Sequence, residues 1–235
     1  MRTIEARRES LPVADRGRTE QVVNLQRFHN WIVSPHPAWI LLHGDCTSLG
    51  GMTAMSSFCS ALTTMLGQRP SFLALTWFCG MHASERDGSH GGKALLRNFA
   101  AQLLCQQRFD TTNLHNFVDL GSFQRGELEG LCALYSWLVR QLPRDMTVIC
   151  IVDELGIYER DDFVVESSIV LSFVVGLMQD RSIVATLKLF ATSTTTVRRM
   201  REFFPEGSVI DLSTVSGVDG SSLQRLQRQM GSELR

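Results

Sequence analysis

Short apolar segments that alternate with helix-forming segments constrain the fold of this chain more than any other feature. The clearest is "TVICIVDE", residues 147–154, an uninterrupted apolar run that ends in two acidic residues. A run of this kind is typical of a central strand that is buried on both faces of a parallel sheet. Comparable runs predict four further strands, at residues 39–43, 72–79, 186–193 and 208–213.

Helical periodicity fills the stretches between these strands. Residues 52–66 predict a helix directly after the first strand, and the length of the 163–178 run favours a helix over a strand. Two more helices are indicated by apolar stripes, which consist of Leu95, Leu96, Phe99, Leu103 and Leu104 and of Leu128, Leu131, Tyr135, Leu138 and Leu142. Strands that alternate with helices imply right-handed βαβ units. We therefore predict an α/β protein with a three-layer fold and a five-stranded, mainly parallel sheet.

The chain divides by composition into four segments. Residues 1–20 mix arginines with acidic residues and contain no apolar run, so we predict a disordered polar tail. Residues 21–37 predict a helix and a linker, because apolar residues recur at helical spacing before "SPHP". Residues 38–212 form the main predicted domain, and residues 213–235 a C-terminal helical segment.

Charge and cysteine content exclude several classes of partner. The 23 basic and 24 acidic side chains give a net charge of −1, which provides no bulk attraction to nucleic acid or to an anionic membrane. The 163–178 run carries Glu166 and is too short to span a bilayer. The six cysteines are scattered without a C-x-x-C pair, which indicates a reduced protein. We therefore expect a cytoplasmic protein that binds neither nucleic acid nor membranes.

The segment "WILLHGDCTSLGGMTAMSSF", residues 39–58, has the layout of a phosphate-binding loop: a strand, a glycine-containing loop and a helix. The pattern G-x-x-x-x-G-K-S/T supplies backbone amides, a lysine and a hydroxyl to phosphate and Mg²⁺. In the register that ends at Gly51–Met52–Thr53, methionine occupies the lysine position and Cys46 the first glycine position. The candidate binding residues of this degraded loop are Gly44, Ser48, Gly50, Gly51, Met52 and Thr53.

The same loop has a second interpretation, as the nucleophile elbow of a serine hydrolase. In "CTSLGGMTA" Ser48 would be the nucleophile of a G-x-S-x-G motif, although Cys46 replaces its first glycine. The hydrolase fold requires a histidine after the acid, near the C-terminus, and the last histidine of this chain is His115. The serine hydrolase is therefore a distant alternative.

Taken together, these segments resemble the NACHT-like domain of the STAND class of P-loop NTPases, in the nephrocystin-like form that is abundant in fungal proteins. The resemblance covers residues 39–212 and rests on the order of "WILLHGDCTSLGGMT", "LTWFCG" with "GGKALLRNFAAQLL", "LYSWLVRQLPRDMTVICIVDE" and "LKLFATSTTT". It implies a P-loop NTPase-like three-layer α/β fold. In such domains the phosphate loop follows the first strand and an acidic pair follows the third.

The resemblance also assigns roles to three residues of this chain. Asp153 matches the acid that holds Mg²⁺, and Glu154 matches the catalytic acid that polarises the attacking water. Thr194 stands at the sensor position, where active relatives carry an arginine. The departures share one direction, because Met52 and Thr194 both stand where phosphoryl transfer needs a cation.

We therefore expect a pseudo-NTPase, a non-catalytic P-loop scaffold or interaction domain without a cofactor. The expected partners are proteins, either further copies of this chain or other STAND-type domains. The alternative is a module that binds Mg-ATP or Mg-GTP with weak or no hydrolysis. That module would use the backbone amides of residues 48–52 together with Thr53 and Asp153.

Overall fold

Five parallel strands form the centre of the computed structural model, which describes residue 4, residues 8–84 and residues 88–215. The strands are β1 (Ala38–His43), β2 (Phe72–Phe78), β3 (Thr147–Asp153), β4 (Thr186–Ser193) and β5 (Val209–Asp211). Their order across the sheet is β2-β3-β4-β1-β5, and every pairing is parallel. The predicted α/β class and the five-stranded sheet are confirmed, and the layout is that of a P-loop-like three-layer fold.

Seven α-helices are described along the chain. They are α1 (Val13–Glu20), α2 (Gln26–Val33), α3 (Ala54–Leu66), α4 (Gly91–Gln106), α5 (Leu120–Gln124), α6 (Leu128–Arg140) and α7 (Asp161–Gln179). Between β4 and β5 the chain forms a 3-10 turn, Met200–Phe203. The helices that follow β1 and those that follow β2 and β3 lie on opposite faces of the sheet.

Side-chain alternation along the central strands produces two separate cores. In β3, Val148, Cys150 and Val152 belong to the core beneath α4, α6 and α7. Ile149 and Ile151 point the other way, into the core beneath α2 and α3. A strand with both faces buried must be apolar at every position. This requirement explains why the apolar run located β3 so well.

The N-terminal region differs from the predicted polar tail. Residues 13–20 form α1, which packs against α3 and buries Asp15 and Thr19. The buried side of α1 is polar because its residues make hydrogen bonds across the chain, and hydrophobic periodicity cannot detect such contacts. At the other end, residues 216–235 of the predicted C-terminal helical segment lie outside the described residues.

Helix α7 is long and apolar enough to satisfy a length-and-composition criterion for a membrane span over residues 162–179. Its inner face, which includes Phe163, Val170 and Val174, is part of the core under α4 and α6. The criterion does not separate such a core helix from a true span. The outer face of α7 is considered further below.

Candidate functional site

The carboxyl ends of the three central strands, β3, β4 and β1, lie side by side at the same end of the sheet. From β1 the chain crosses to the far edge at β2, whereas from β4 it continues in the opposite direction to β5. Such a reversal opens a crevice at the strand ends, where ligands bind in open parallel sheets. The predicted site residues all follow one of these three strand ends, so the fold brings them together.

Asp153, the last residue of β3, is almost fully buried and surrounded by donors. Its Oδ2 accepts a hydrogen bond from Ser56 Oγ at 2.6 Å, and its Oδ1 accepts one from Thr192 Oγ1 at 2.7 Å. The Cys59 thiol lies 3.7 Å from Oδ1. Hydroxyls on α3 and β4 therefore clamp the carboxyl group from both sides.

Burial, together with the neighbouring charge of Glu154, raises the pKa of Asp153 to about 7, although the hydrogen bonds from Ser56, Thr192 and Cys59 oppose the shift. Desolvation disfavours the charged form of a buried carboxyl group, and a like charge adds to that effect. The same environment raises the pKa of the Cys59 thiol well above its ordinary value, so this cysteine stays protonated.

Glu154 turns back toward the sheet because its own backbone is left-handed, with φ of 58°, the one positive φ among the described non-glycine residues. Its amide N–H donates to Thr192 Oγ1 at 3.0 Å. Its Oε1 accepts from Thr53 Oγ1 at 3.3 Å, and its Oε2 accepts from Thr194 Oγ1 at 2.7 Å. A left-handed non-glycine residue costs on the order of 1 kcal/mol or more, so the surrounding contacts must hold it there.

Thr53, which the sequence predicts to act together with Asp153, contacts the neighbouring acid instead. Thr53 caps α3, since Ser56 N–H donates to Thr53 Oγ1 at 3.2 Å and Thr53 N–H donates to Ser56 Oγ at 3.0 Å. Thr53 then contacts Glu154, whereas Ser56 contacts Asp153. Sequence reasoning missed Ser56 and Thr192. The available signal was that each is a small polar residue within an otherwise apolar element, Ser56 in α3 and Thr192 in β4.

The loop between β1 and α3 closes on itself in a tight turn. Leu49 N–H donates to Met52 C=O at 2.8 Å, and Met52 N–H donates to Leu49 C=O at 3.3 Å. Gly50 and Gly51 occupy the turn with φ of 58° and 78°, the backbone of a type I′ turn. The amides of Leu49 and Met52 are therefore paired within the loop.

The glycines of this loop serve the turn and a close backbone approach. A Cβ atom on Gly51 would lie 2.7 Å from the carbonyl oxygen of Gly80, just after β2. Gly44 directly follows β1 and lies against Leu212, so a Cβ atom on Gly44 would collide with the Leu212 side chain. The Met52 side chain, at the predicted lysine position, is buried, with 4 % of its surface exposed.

Helix α1 supplies a carboxylate to the same loop. Asp15 Oδ2 accepts the Thr47 N–H at 2.9 Å, and Arg18 Nη2 donates to Asp15 Oδ1 at 2.7 Å and to the Asp45 carbonyl at 3.2 Å. Partial burial raises the pKa of Asp15, but the bonds from Thr47 and Arg18 outweigh it and leave the pKa below its ordinary value. The ionised Asp15 carboxylate thus accepts the hydrogen bond of one loop amide, that of Thr47.

Neither lysine of the chain reaches this loop. Lys188 is buried, and its Nζ donates to the Trp31 and Ile32 carbonyls at 2.6 and 2.8 Å, at the end of α2. Burial lowers the pKa of Lys188 to about 8. Lys93 lies at the start of α4, where its Nζ is 3.5 Å from Glu166 and its amide donates to the same carboxylate.

Ser48, the proposed nucleophile of the hydrolase alternative, is exposed in the loop well before α3 begins at Ala54. Its backbone φ is not positive, so the strained turn of a nucleophile elbow is missing. In the described part of the chain, no hydrogen bond joins Ser48 to a histidine. The nearest histidine in sequence, His43, contacts the Ser193 carbonyl instead, at 3.2 Å.

Comparisons with known proteins add no relative to this description. No protein-family model matches the chain. No curated protein matches it significantly either. The geometry at the strand ends is therefore the basis of the functional argument.

Proposed function

We propose that this chain is a non-catalytic, pseudo-NTPase scaffold or interaction domain, in which the crevice of a P-loop-like fold is filled by its own side chains. The observation that carries the proposal is the buried hydroxyl network. Ser56 and Thr192 hold Asp153, while Thr53 and Thr194 hold Glu154. Both acids therefore have hydrogen-bond partners within the protein itself.

A Mg-nucleotide does not fit the residues at the loop. A triphosphate needs several converging amides and at least one cation to balance its charge. The amide N–H groups of Leu49 and Met52 each donate to the carbonyl oxygen of the other residue, and the Thr47 N–H donates to Asp15. Asp153 and Glu154 would add like charge beside the phosphates.

The proposal includes an intracellular protein whose partners are proteins. A domain with a filled crevice acts through the surface that it presents to its partners. The buried hydrogen bonds in the crevice keep that surface rigid. The resemblance to STAND-type domains favours assembly with such domains or with further copies of this chain.

Thermal unfolding of the purified chain, with and without 5 mM Mg-ATP or Mg-GTP, tests the absence of nucleotide binding. A ligand present at about a hundred times its dissociation constant stabilises a protein by about 2.7 kcal/mol. For a domain of this size the midpoint would then rise by roughly 5–10 °C. We expect a shift below about 1 °C with either nucleotide.

Two controls decide what a larger shift would mean. A shift that disappears in Asp153→Asn, but persists in Ser48→Ala, would assign nucleotide binding to the crevice and replace this proposal with the nucleotide-binding alternative. Mg²⁺-dependent phosphate release that is lost in a folded Glu154→Gln variant would replace it with an active NTPase. Release of a chromogenic phenol from an ester, abolished by Ser48→Ala, would favour the hydrolase.

A further inference from the structure

The outer face of α7 is a strip on the surface of the domain that carries a single charged residue, at its first turn. We define this outer face by its exposed residues, which are Asp162, Val165, Ile169, Ser172, Gly176 and Gln179. Val165 and Ile169 are 68 % and 51 % exposed, which is unusual for β-branched residues in the middle of a helix. Residues 163–179 contain one charged side chain, Glu166, and that carboxylate is bound to the start of α4.

The spacing of the exposed residues is that of a helix-pairing seam. Successive members are separated by three, four, three, four and three positions. This 3-4 spacing keeps a stripe of side chains on one line when two helices pack along each other. The inner residues of α7 meet the sheet and α4, so the outer face is a second packing surface of the same helix.

We infer that the outer face of α7 pairs with the same face of a second copy of the chain, in an antiparallel arrangement about a two-fold axis. A symmetric contact of this kind requires a surface that complements itself. With the axis between positions 170 and 171, Val165 lies opposite Gly176 of the other copy. Ile169 then lies opposite Ser172, so each large side chain meets a small one.

Charge at the two ends of the strip supports the antiparallel direction. Asp162 lies at the first turn of α7, and Arg181 follows its last turn, and both are exposed. Among the described ion pairs, neither residue takes part. The antiparallel arrangement brings Asp162 of one copy near Arg181 of the other, twice by symmetry. A parallel pair would place Asp162 against its own copy.

The same charges disfavour a lipid surface as the occupant. Helices that lie on anionic membranes carry lysine and arginine along the borders of their apolar face. The borders of this strip carry Glu166 and Asp180, and their cationic partners Lys93 and Arg140 belong to other helices.

A 19-residue helix is about 28 Å long. A strip about 10 Å wide then gives on the order of 300 Å² per copy, or about 600 Å² in total, which is below the roughly 1,000 Å² of a stable interface and corresponds at most to a weak, concentration-dependent dimer.

Sedimentation of the full chain between 10 and 300 µM tests the proposal. We expect the apparent mass to rise with concentration from 26.4 kDa toward twice that value. Ile169→Arg should weaken self-association at least tenfold. The matched control is Leu104→Arg on α4, because Leu104 is similarly exposed, at 47 %. A chain that stays monomeric throughout, or a dimer that Ile169→Arg leaves intact, overturns the proposal.

Charge reversal tests the antiparallel arrangement itself. Asp162→Arg and Arg181→Asp should each weaken the dimer about 3- to 10-fold at low salt, because two exposed ion pairs become two repulsive contacts. The double variant should return to within about twofold of the natural chain. Absence of this rescue, with both single variants folded by their thermal midpoints, overturns the antiparallel pairing.

A flotation assay with phosphatidylcholine–phosphatidylglycerol vesicles tests whether the outer face of α7 binds a membrane instead of a second copy of the chain. Vesicle binding by a monomeric chain that Ile169→Arg abolishes would assign the face to a membrane and overturn self-pairing. The proposal goes beyond the scaffold function and is independent of the crevice. Nucleotide binding would overturn the proposed function and leave the α7 dimer standing, while a monomeric chain would do the reverse.

Discussion

The pH dependence of stability offers the sharpest test of the buried acid pair. The pKa of Asp153 is raised from an ordinary value of 3.8 to about 7 in the folded protein. A group with a raised pKa in the folded state stabilises the protein fully at pH values below its unfolded pKa. That contribution is lost progressively as the pH rises from the unfolded pKa to the folded pKa, because in that range the unfolded chain has released a proton that the folded chain retains.

The expected size follows from the same two values. Each pH unit between them costs about 1.4 kcal/mol. Between pH 5 and pH 8 the titration of Asp153 should therefore remove on the order of 2–3 kcal/mol of unfolding free energy, or roughly 5–10 °C in the midpoint.

Asp153→Asn isolates this effect from every other titration. The amide cannot ionise and can keep hydrogen bonds to the Ser56 and Thr192 hydroxyls. We expect the difference in unfolding free energy between the natural chain and Asp153→Asn, measured by urea titration from pH 5 to pH 8.5, to change by 2–3 kcal/mol in favour of the variant. Asp145→Asn, at an exposed site, is the control. Parallel curves for the natural chain and Asp153→Asn would refute the reasoning.

Three further substitutions probe the contacts around this pair. Ser56→Ala removes a donor from Asp153 and a cap from α3, so urea unfolding should show a loss of about 1–3 kcal/mol at pH 8 and a smaller loss at pH 5; an equal loss at both values would contradict the coupling to Asp153. Gly51→Ala combines a positive φ with a contact to the Gly80 carbonyl and should lower stability by about 1–3 kcal/mol, whereas Gly207→Ala, in open space, should change it by less than about 1 kcal/mol in the same assay. Lys188→Met deprives the Trp31 and Ile32 carbonyls of their donor and should cost about 1.5–3 kcal/mol by thermal unfolding at pH 7; a neutral result would show that water replaces the ammonium group.

The sequence predicted the strands of this fold well because burial on both faces leaves a continuous apolar run. The strand predicted at residues 186–193 has the observed bounds of β4, and the first three strands differ by at most one residue at either end. Strand β5 is shorter than predicted, since only Val209–Asp211 pairs with β1. Periodicity records which positions are apolar, and it does so for each segment separately.

Contacts between distant segments explain what the sequence did not reveal. The Ser56–Asp153 bond joins residues 97 positions apart, and the Thr192–Asp153 bond joins residues 39 positions apart. Helix α1 was missed for the same reason, because Asp15 finds its partner at Thr47. The left-handed backbone of Glu154 follows from these contacts, so no local propensity predicts it. The resemblance to STAND domains and the roles it assigns stay predictions.

The closed turn at Leu49–Met52 has a consequence for any attempt to engineer catalysis into this fold. Met52→Lys would place an ammonium group at a buried position, because the Met52 side chain is 4 % exposed. A charge buried without a partner shifts its pKa or unfolds its surroundings. A working phosphate site would also require the turn to open, Asp15 to release Thr47, and α3 to begin earlier. The route back is a redesign of the whole strand-to-helix connection, with each change unfavourable until the others are present.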